Sequence, residues 1–243
     1  MASKKKPFVV PVDQPVRVYD LRWEQSDPPA LPKPKHRIIR GKVAKRDMRT
    51  ITGVTIHQTA CVFGVSDAGV KRASGDVELA TARRALGVAC HGLAFTGGFY
   101  ALPNPLDWYV WHANALNETT LGLEVEGLYA GLEDDPDTVP REDLETTWNG
   151  PPMKLTDETV ASARACLARL VNEARAAGAP LTNVFAHRQS SDTRRSDPGE
   201  AIWQKVVLDY AVPVLGLTAK PSAVFGPGRP IPVEWAPDGV RRY

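Results

Sequence analysis

The stretch ITGVTIH, residues 51–57, alternates in side-chain character, and this alternation decides the fold class. Side chains on an extended chain point to opposite faces in turn, so Val54 and Ile56 share one face while Thr55 and His57 share the other. One apolar face opposite a polar face is typical of a strand that packs one side on a core. We therefore predict a strand that ends at a histidine.

The stretch LGLEVEG, residues 121–127, has the same period of two. Its leucine and valine side chains share one face, and Gly122, Glu124 and Glu126 share the other. Further strands are predicted at residues 88–95, 108–112 and 181–187. Helices are predicted at residues 76–86, 157–177, with Thr156 as N-cap, and 198–212. This alternation predicts an α/β fold with a mixed central β-sheet flanked by helices.

The composition predicts three parts along the chain. Residues 1–50 form a basic, Pro-rich N-terminal arm, residues 51–217 form one catalytic domain, and residues 218–243 form a Pro/Gly-rich C-terminal tail. Within the domain, residues 128–155 are predicted to form an acidic loop.

Charge is distributed unevenly between these parts. The chain has 243 residues, with 30 Lys and Arg against 28 Asp and Glu, and a net charge of +2 argues against a dedicated nucleic-acid binder. Residues 1–50 alone hold 13 basic and 5 acidic residues, a net charge of +8, which leaves −6 for the rest. The arm is suited to an anionic polymer or membrane surface; the alternative is a solvated extension.

Cysteine usage and the N-terminus predict where the protein resides. Cys61, Cys90 and Cys166 have no CxxC spacing, so neither a zinc knuckle nor a secreted disulfide framework is expected. The apolar stretch at residues 8–12 is interrupted by Pro11 and is too short for a signal peptide. No run is long enough for a transmembrane segment. We expect a soluble protein that is cytoplasmic in the producing cell.

Three polar residues are candidates for a metal site. His57 and His187 each close a predicted strand, and Asp197 lies just before a predicted helix start. Two imidazoles and one carboxylate, with the fourth position open, commonly hold catalytic zinc. A lone histidine at a strand end is more often structural, so this spacing alone leaves both interpretations open.

Five segments resemble, in order, a known family. They are HQT at 57–59, ACH at 89–91, WHAN at 111–114, LGLEVEG at 121–127 and AHRQSSDTRRSDPG at 186–199. The chain, over roughly residues 50–212, resembles the zinc-dependent type-2 N-acetylmuramoyl-L-alanine amidases, a fold family shared with phage amidase lysozymes and peptidoglycan-recognition proteins.

The resemblance implies one Zn²⁺ per chain, with His57, His187 and Asp197 as ligands. It also implies that Glu124 activates the water that attacks the substrate. The alternative for Glu124 and its neighbour Glu126 is a solvent-facing edge strand.

Further site residues follow from the same resemblance. Arg195 stands where relatives usually place a lysine, and the implied role is to stabilise the oxyanion that develops on the scissile carbonyl. His112 and Trp111 are expected to contact substrate. Residues 94–106 and the loop at 128–155 depart from the family pattern, which leaves the preferred peptide stem open.

The implied activity is hydrolysis of the amide between N-acetylmuramic acid and L-alanine in peptidoglycan. We expect a monomeric, lytic, endolysin-like enzyme that reaches the cell wall after release or injection. The alternatives are a non-catalytic peptidoglycan-recognition module, a cytosolic amidase that recycles wall fragments, and an unrelated α/β protein with coincidental histidines.

Overall fold

A seven-stranded mixed sheet forms the centre of the protein. The computed structural model describes residues 16–25, 35–131 and 152–236. The strands are β1 (Val18–Asp20), β2 (Ile38–Ile39), β3 (Lys42–Val43), β4 (Gly53–Gln58), β5 (Gly92–Ala94), β6 (Tyr100–Leu102), β7 (Thr120–Val125), β8 (Asn183–Ala186) and β9 (Thr218–Ala219). The sheet order is β1-β6-β5-β7-β4-β8-β9, and β2 and β3 form a separate hairpin.

All neighbours in the large sheet are parallel except the antiparallel pair of β5 and β6. The helices are α1 (Asp67–Arg72), α2 (Val77–Ala82), α3 (Asp157–Ala176) and α4 (Glu200–Ile202), which continues as the π-helix Trp203–Ala211. Short 3₁₀ turns lie at Met48–Thr50, Arg83–Gly87, Asn114–Leu116, His187–Ser190 and Val233–Trp235. The predicted mixed sheet flanked by helices is confirmed.

One face of the sheet packs on α3 and on the C-terminal helix. The apolar residues of β4 and β7 are fully buried there against Leu167 and Leu170 of α3. The helix begins where the sequence predicts, because the Thr156 hydroxyl accepts a hydrogen bond from the Thr159 N–H. The opposite face carries polar side chains at the carboxyl ends of β4 and β7, and these ends lie together because the strands are parallel and adjacent.

Three predicted elements differ from the structure. Residues 108–112 do not form a strand, because Trp108 and Val110 make only isolated bridges, to Lys45 and His36. The predicted strand at 88–95 shortens to β5. The predicted helix at 76–86 becomes α2 followed by the 3₁₀ turn Arg83–Gly87.

Parts of both flanking segments pack on the domain. β1 pairs with β6 at the edge of the sheet, and Leu21 is buried next to it. At the other end, β9 pairs with β8, and Ile231 and Trp235 are fully buried in the core. Residues 1–15 and 26–34 of the predicted arm, 132–151 of the predicted acidic loop, and 237–243 of the predicted tail lie outside the described residues. Among the described residues, no helix has the length and apolar character needed to cross a membrane.

Candidate metal centre

The structure brings His57, His187 and Asp197 together. One ligand atom from each lies within 4.8 Å of the others. The two Nδ1 atoms are 3.0 Å apart, and His187 Nδ1 is 3.0 Å from Asp197 Oδ2. His57 lies in β4 and His187 directly follows β8, so the parallel pairing of these neighbouring strands places both imidazoles at one edge of the sheet.

The Asp197 carboxylate is oriented by the strand that carries His57. Its Oδ1 accepts a hydrogen bond from the Gln58 N–H at 3.0 Å, which leaves Oδ2 facing His187. The Gln58 side chain donates to the Ser196 carbonyl at 3.0 Å and accepts from the Tyr129 N–H. Because Gln58 contacts the residue before Asp197 as well, the loop carrying the carboxylate is fixed to β4 at two points.

A hydrogen-bond relay fixes the tautomer of His57. His57 Nε2 is 3.1 Å from His112 Nδ1, and His112 Nε2 is 3.2 Å from the Thr120 carbonyl. A carbonyl only accepts, so His112 carries its proton on Nε2 and accepts at Nδ1. His57 is therefore protonated on Nε2 and has a lone pair on Nδ1, the atom that faces the other two ligands.

Burial keeps these imidazoles neutral. It lowers the pKa of His57 well below its ordinary value, and the neighbouring His187 and His112 lower it further. The pKa of His112 falls to about 3, through burial and then through the charge of Arg46. Two imidazoles and a carboxylate form the donor set that catalytic zinc takes, so the residues present fit the implied ion.

Glu124 lies beside this cluster. It pairs in register with His57 across β4 and β7, so both side chains leave the same face of the sheet. Its Oε2 is buried and has no hydrogen-bond partner among the described residues. Burial raises the pKa of Glu124 to about 8, and the charge of Asp197 acts in the same direction. A carboxyl held this way is suited to exchange protons near neutral pH.

Glu126, two residues further on, has a structural role. It is buried, and its carboxylate accepts from the Phe63 N–H at 2.7 Å and from the Thr96 N–H and hydroxyl at 2.9 and 2.7 Å. The strand β7 lies between β5 and β4 inside the sheet. The alternative of a solvent-facing edge strand for Glu124 and Glu126 is therefore wrong.

The remaining predicted site residues occupy different positions. Arg195 is half-buried, and its carbonyl accepts a hydrogen bond from Arg188. The charge of its neighbour Arg194 lowers the pKa of both Glu124 and His57. Trp111 is 48% exposed, whereas His112 is buried behind His57.

Two basic residues near the site were not found by sequence reasoning. Arg46 is buried and donates to the Thr120 carbonyl at 2.6 Å, the same oxygen that His112 contacts. Lys35 lies in the predicted arm, and its charge lowers the pKa of Glu124. Both belong to the basic N-terminal composition, and no local motif distinguishes them from solvated residues.

One protein-family model, described as N-acetylmuramoyl-L-alanine amidase, matches residues 47–200. No curated protein matches the chain. Solved structures with a similar chain path include the endolysin N-acetylmuramoyl-L-alanine amidase LysCS from Clostridium intestinale URNW. It is 15% identical, with a TM-score of 0.39, and the match covers 74% of this chain and 97% of that one.

Two other matches are the Drosophila peptidoglycan recognition protein PGRP-LB in complex with tracheal cytotoxin and the Ph2119 endolysin from a Thermus scotoductus MAT2119 bacteriophage. The first has 15% identity and a TM-score of 0.44 and covers 83% of this chain and 96% of its own. The second has 14% identity and a TM-score of 0.37 and covers 78% and 98%. The segment matched by the family model contains His57, Glu124, His187 and Asp197.

Proposed function

Because the chain belongs to the N-acetylmuramoyl-L-alanine amidase family, we propose that it hydrolyses the amide between N-acetylmuramic acid and L-alanine in peptidoglycan, using one zinc ion. The observation that carries this proposal is the convergence of His57, His187 and Asp197 beside the buried, unpartnered Oε2 of Glu124. A recognition module needs neither a proton acceptor at this position nor three intact ligands.

In this mechanism the three candidate ligands would hold the ion, His57 through Nδ1, His187 through a ring nitrogen and Asp197 through a carboxylate oxygen. Zinc bound there supplies Lewis acidity, which polarises a carbonyl oxygen and makes water nucleophilic at neutral pH. Glu124 Oε2 accepts a proton from the attacking water. As the C–N bond breaks, the protonated Glu124 delivers this proton to the leaving nitrogen of L-alanine. The products are a free lactyl carboxylate and a peptide with a free amino terminus.

A cationic residue in the loop between His187 and Asp197 stabilises negative charge on the scissile carbonyl oxygen. The family pattern favours Arg195 for this role, whereas the electrostatic effect on Glu124 and His57 favours Arg194. Trp111 offers an exposed aromatic face for a sugar or peptide. His112 is best assigned to positioning His57, since both of its ring nitrogens already have partners within the fold.

The deciding experiment incubates the protein with purified sacculi and analyses the released products by mass. We expect stem peptides with an unmodified N-terminal L-alanine. The Glu124→Gln variant should lose at least about 100-fold in turnover, because a positioned acid–base group contributes roughly 10²–10⁴, and it should still bind one zinc per chain. Exposed Glu118→Gln is the matched control and should keep wild-type turnover.

Other outcomes separate the alternatives. Near wild-type turnover by Glu124→Gln contradicts the assigned role. Binding of sacculi without any released peptide identifies a recognition module. Cleavage of soluble fragments but not of intact sacculi identifies a recycling enzyme and contradicts the lytic role that we propose. In the same assay, the larger loss of turnover between Arg194→Ala and Arg195→Ala identifies the residue that stabilises the carbonyl oxygen.

A further inference from the structure

The described part of the C-terminal tail, residues 218–236, packs on the turn His187–Ser190, although it lies beyond the segment matched by the family model. The turn begins with the candidate ligand His187. Two residues further on, the Gln189 side-chain amide donates to the Lys220 carbonyl at 2.7 Å and to the Ala223 carbonyl at 2.9 Å. The tail thus wraps around Gln189 and contacts it from two positions.

The backbones of the tail and the turn are also hydrogen-bonded. The Phe225 N–H donates to the Gln189 carbonyl at 2.8 Å, and the Arg229 N–H donates to the Arg188 carbonyl at 2.7 Å. Between these two bonds lies Gly228, where an added Cβ would overlap the Gln189 carbonyl group. Because backbone atoms would have to move, the tail can approach this closely only with a glycine at 228.

Arg188 joins the tail to the part of the loop that carries Asp197. Its Nε donates to the Pro230 carbonyl at 3.0 Å, and its guanidinium lies 5.1 Å from the centroid of the buried Trp235 ring. Its Nη1 donates to the Arg195 carbonyl, and its backbone N–H donates to the Asp197 carbonyl at 3.1 Å. The Arg188 side chain therefore connects the tail to Arg195, and its backbone connects the start of the ligand loop, residues 187–197, to the end of that loop at Asp197.

We propose that the tail is a clamp that positions His187 and Asp197 for metal binding; this inference rests on the proposed zinc-dependent function. The two ligands are ten residues apart on a loop. A loop that is ordered in advance binds a metal more tightly than one that must become ordered on binding. Hydrogen bonds that orient metal ligands typically contribute about 10–100-fold in metal affinity.

The test compares two glycine variants. Gly228→Ala forces the tail away from the turn, whereas Gly64→Ala adds a methyl group that meets nothing within 4 Å. Zinc affinity is measured by competition with a chelator, and thermal unfolding of the metal-free proteins reports folding. We expect Gly228→Ala to bind zinc at least about tenfold more weakly, and Gly64→Ala to match the wild type. A purely structural tail would lower the unfolding temperature without changing the zinc affinity of the folded protein.

A second measurement needs no variant. If the tail favours zinc binding, zinc must stabilise the tail by the same factor. Adding zinc to the wild-type protein should therefore slow hydrogen exchange at the Phe225 and Arg229 amides. The clamp is overturned if folded Gly228→Ala keeps wild-type zinc affinity, or if zinc leaves both amides unchanged. If either result is found while the wild-type protein hydrolyses sacculi, only the clamp is contradicted. If the wild-type protein binds no zinc, the proposed function is contradicted as well.

Discussion

Glu124 lies in β7 and Glu126 directly follows the strand, and their surroundings give the two carboxyl groups different chemistry. Three donors from two residues hold the Glu126 carboxylate, whereas Glu124 Oε2 is buried without a partner among the described residues. Leaving a buried polar atom without a hydrogen bond costs roughly 1–3 kcal/mol. A fold tolerates that cost most readily at a functional site, which is why the orphaned oxygen is the stronger indicator of a proton acceptor.

A prediction for a single residue concerns His112. Replacing it by phenylalanine keeps a ring of similar size but removes the acceptor for His57 Nε2–H, which frees His57 to change tautomer. We expect His112→Phe to weaken zinc binding by about 10–100-fold. His112→Asn, which can still offer an oxygen to His57, should retain more of the affinity. The measurement is chelator competition on the folded variants; equal affinity of His112→Phe and wild type would contradict the positioning role.

At the scale of elements, the contact between α3 and the sheet depends on one glycine. A Cβ added at Gly92 of β5 would lie 2.5 Å from Cys166 Sγ and 3.1 Å from Leu170 Cδ1. We expect Gly92→Ala to lower the free energy of unfolding by about 1–3 kcal/mol, because the added methyl group overpacks this interface. Urea denaturation of the metal-free protein measures the change.

The Cys166→Ala variant provides the control for this prediction. In the Gly92→Ala/Cys166→Ala double variant, removal of the sulfur makes room for the new methyl group. The double variant should therefore be more stable than the sum of the two single changes predicts. Strict additivity would show that the strain arises elsewhere.

Local periodicity is sufficient to predict some of these elements. The strands β4, β7 and β8 and the helix α3 with its cap at Thr156 follow from alternation and capping, because each buries one continuous face. The predicted strand at 108–112 is wrong because its partners come from the chain near His36 and Lys45, and these pair only as single bridges. Alternation in one segment does not encode how long its distant partner stays extended.

Some residues of the candidate site can also be predicted from the sequence, and others cannot. His57, His187 and Asp197 are candidates from their positions at predicted strand ends and before a predicted helix, whereas the role of Glu124 comes from the family resemblance. Arg46 and His112 both donate to the Thr120 carbonyl. This contact joins residues that are distant in sequence, so no spacing rule reveals it. The contacts between the tail and the turn at 187–190 depend on tertiary packing for the same reason.

For the whole molecule, the structure divides the basic arm into two parts. Part of its positive charge is used within the domain, where Arg22 pairs with Asp20 and with Glu173 of α3, and Lys45 pairs with Asp107. Arg46 is buried behind the site. A deletion of residues 1–40 would remove β1 together with any tether, and loss of activity would then have two explanations. A test of the arm must therefore stay within residues 1–15.

The three lysines at residues 4–6 lie outside the described residues and are the best targets for this test. We propose that they attract the anionic cell wall, and we expect their replacement by glutamine to weaken binding to sacculi at low salt. The difference should disappear near 1 M salt, where the Debye length falls to about 3 Å. Replacing three exposed basic residues of the domain, Lys71, Arg72 and Lys154, by glutamine makes the same change in net charge at other sites. An equal loss of binding in both triple variants would mean that overall charge attracts the protein to the wall; a loss confined to residues 4–6 would identify the arm as the tether.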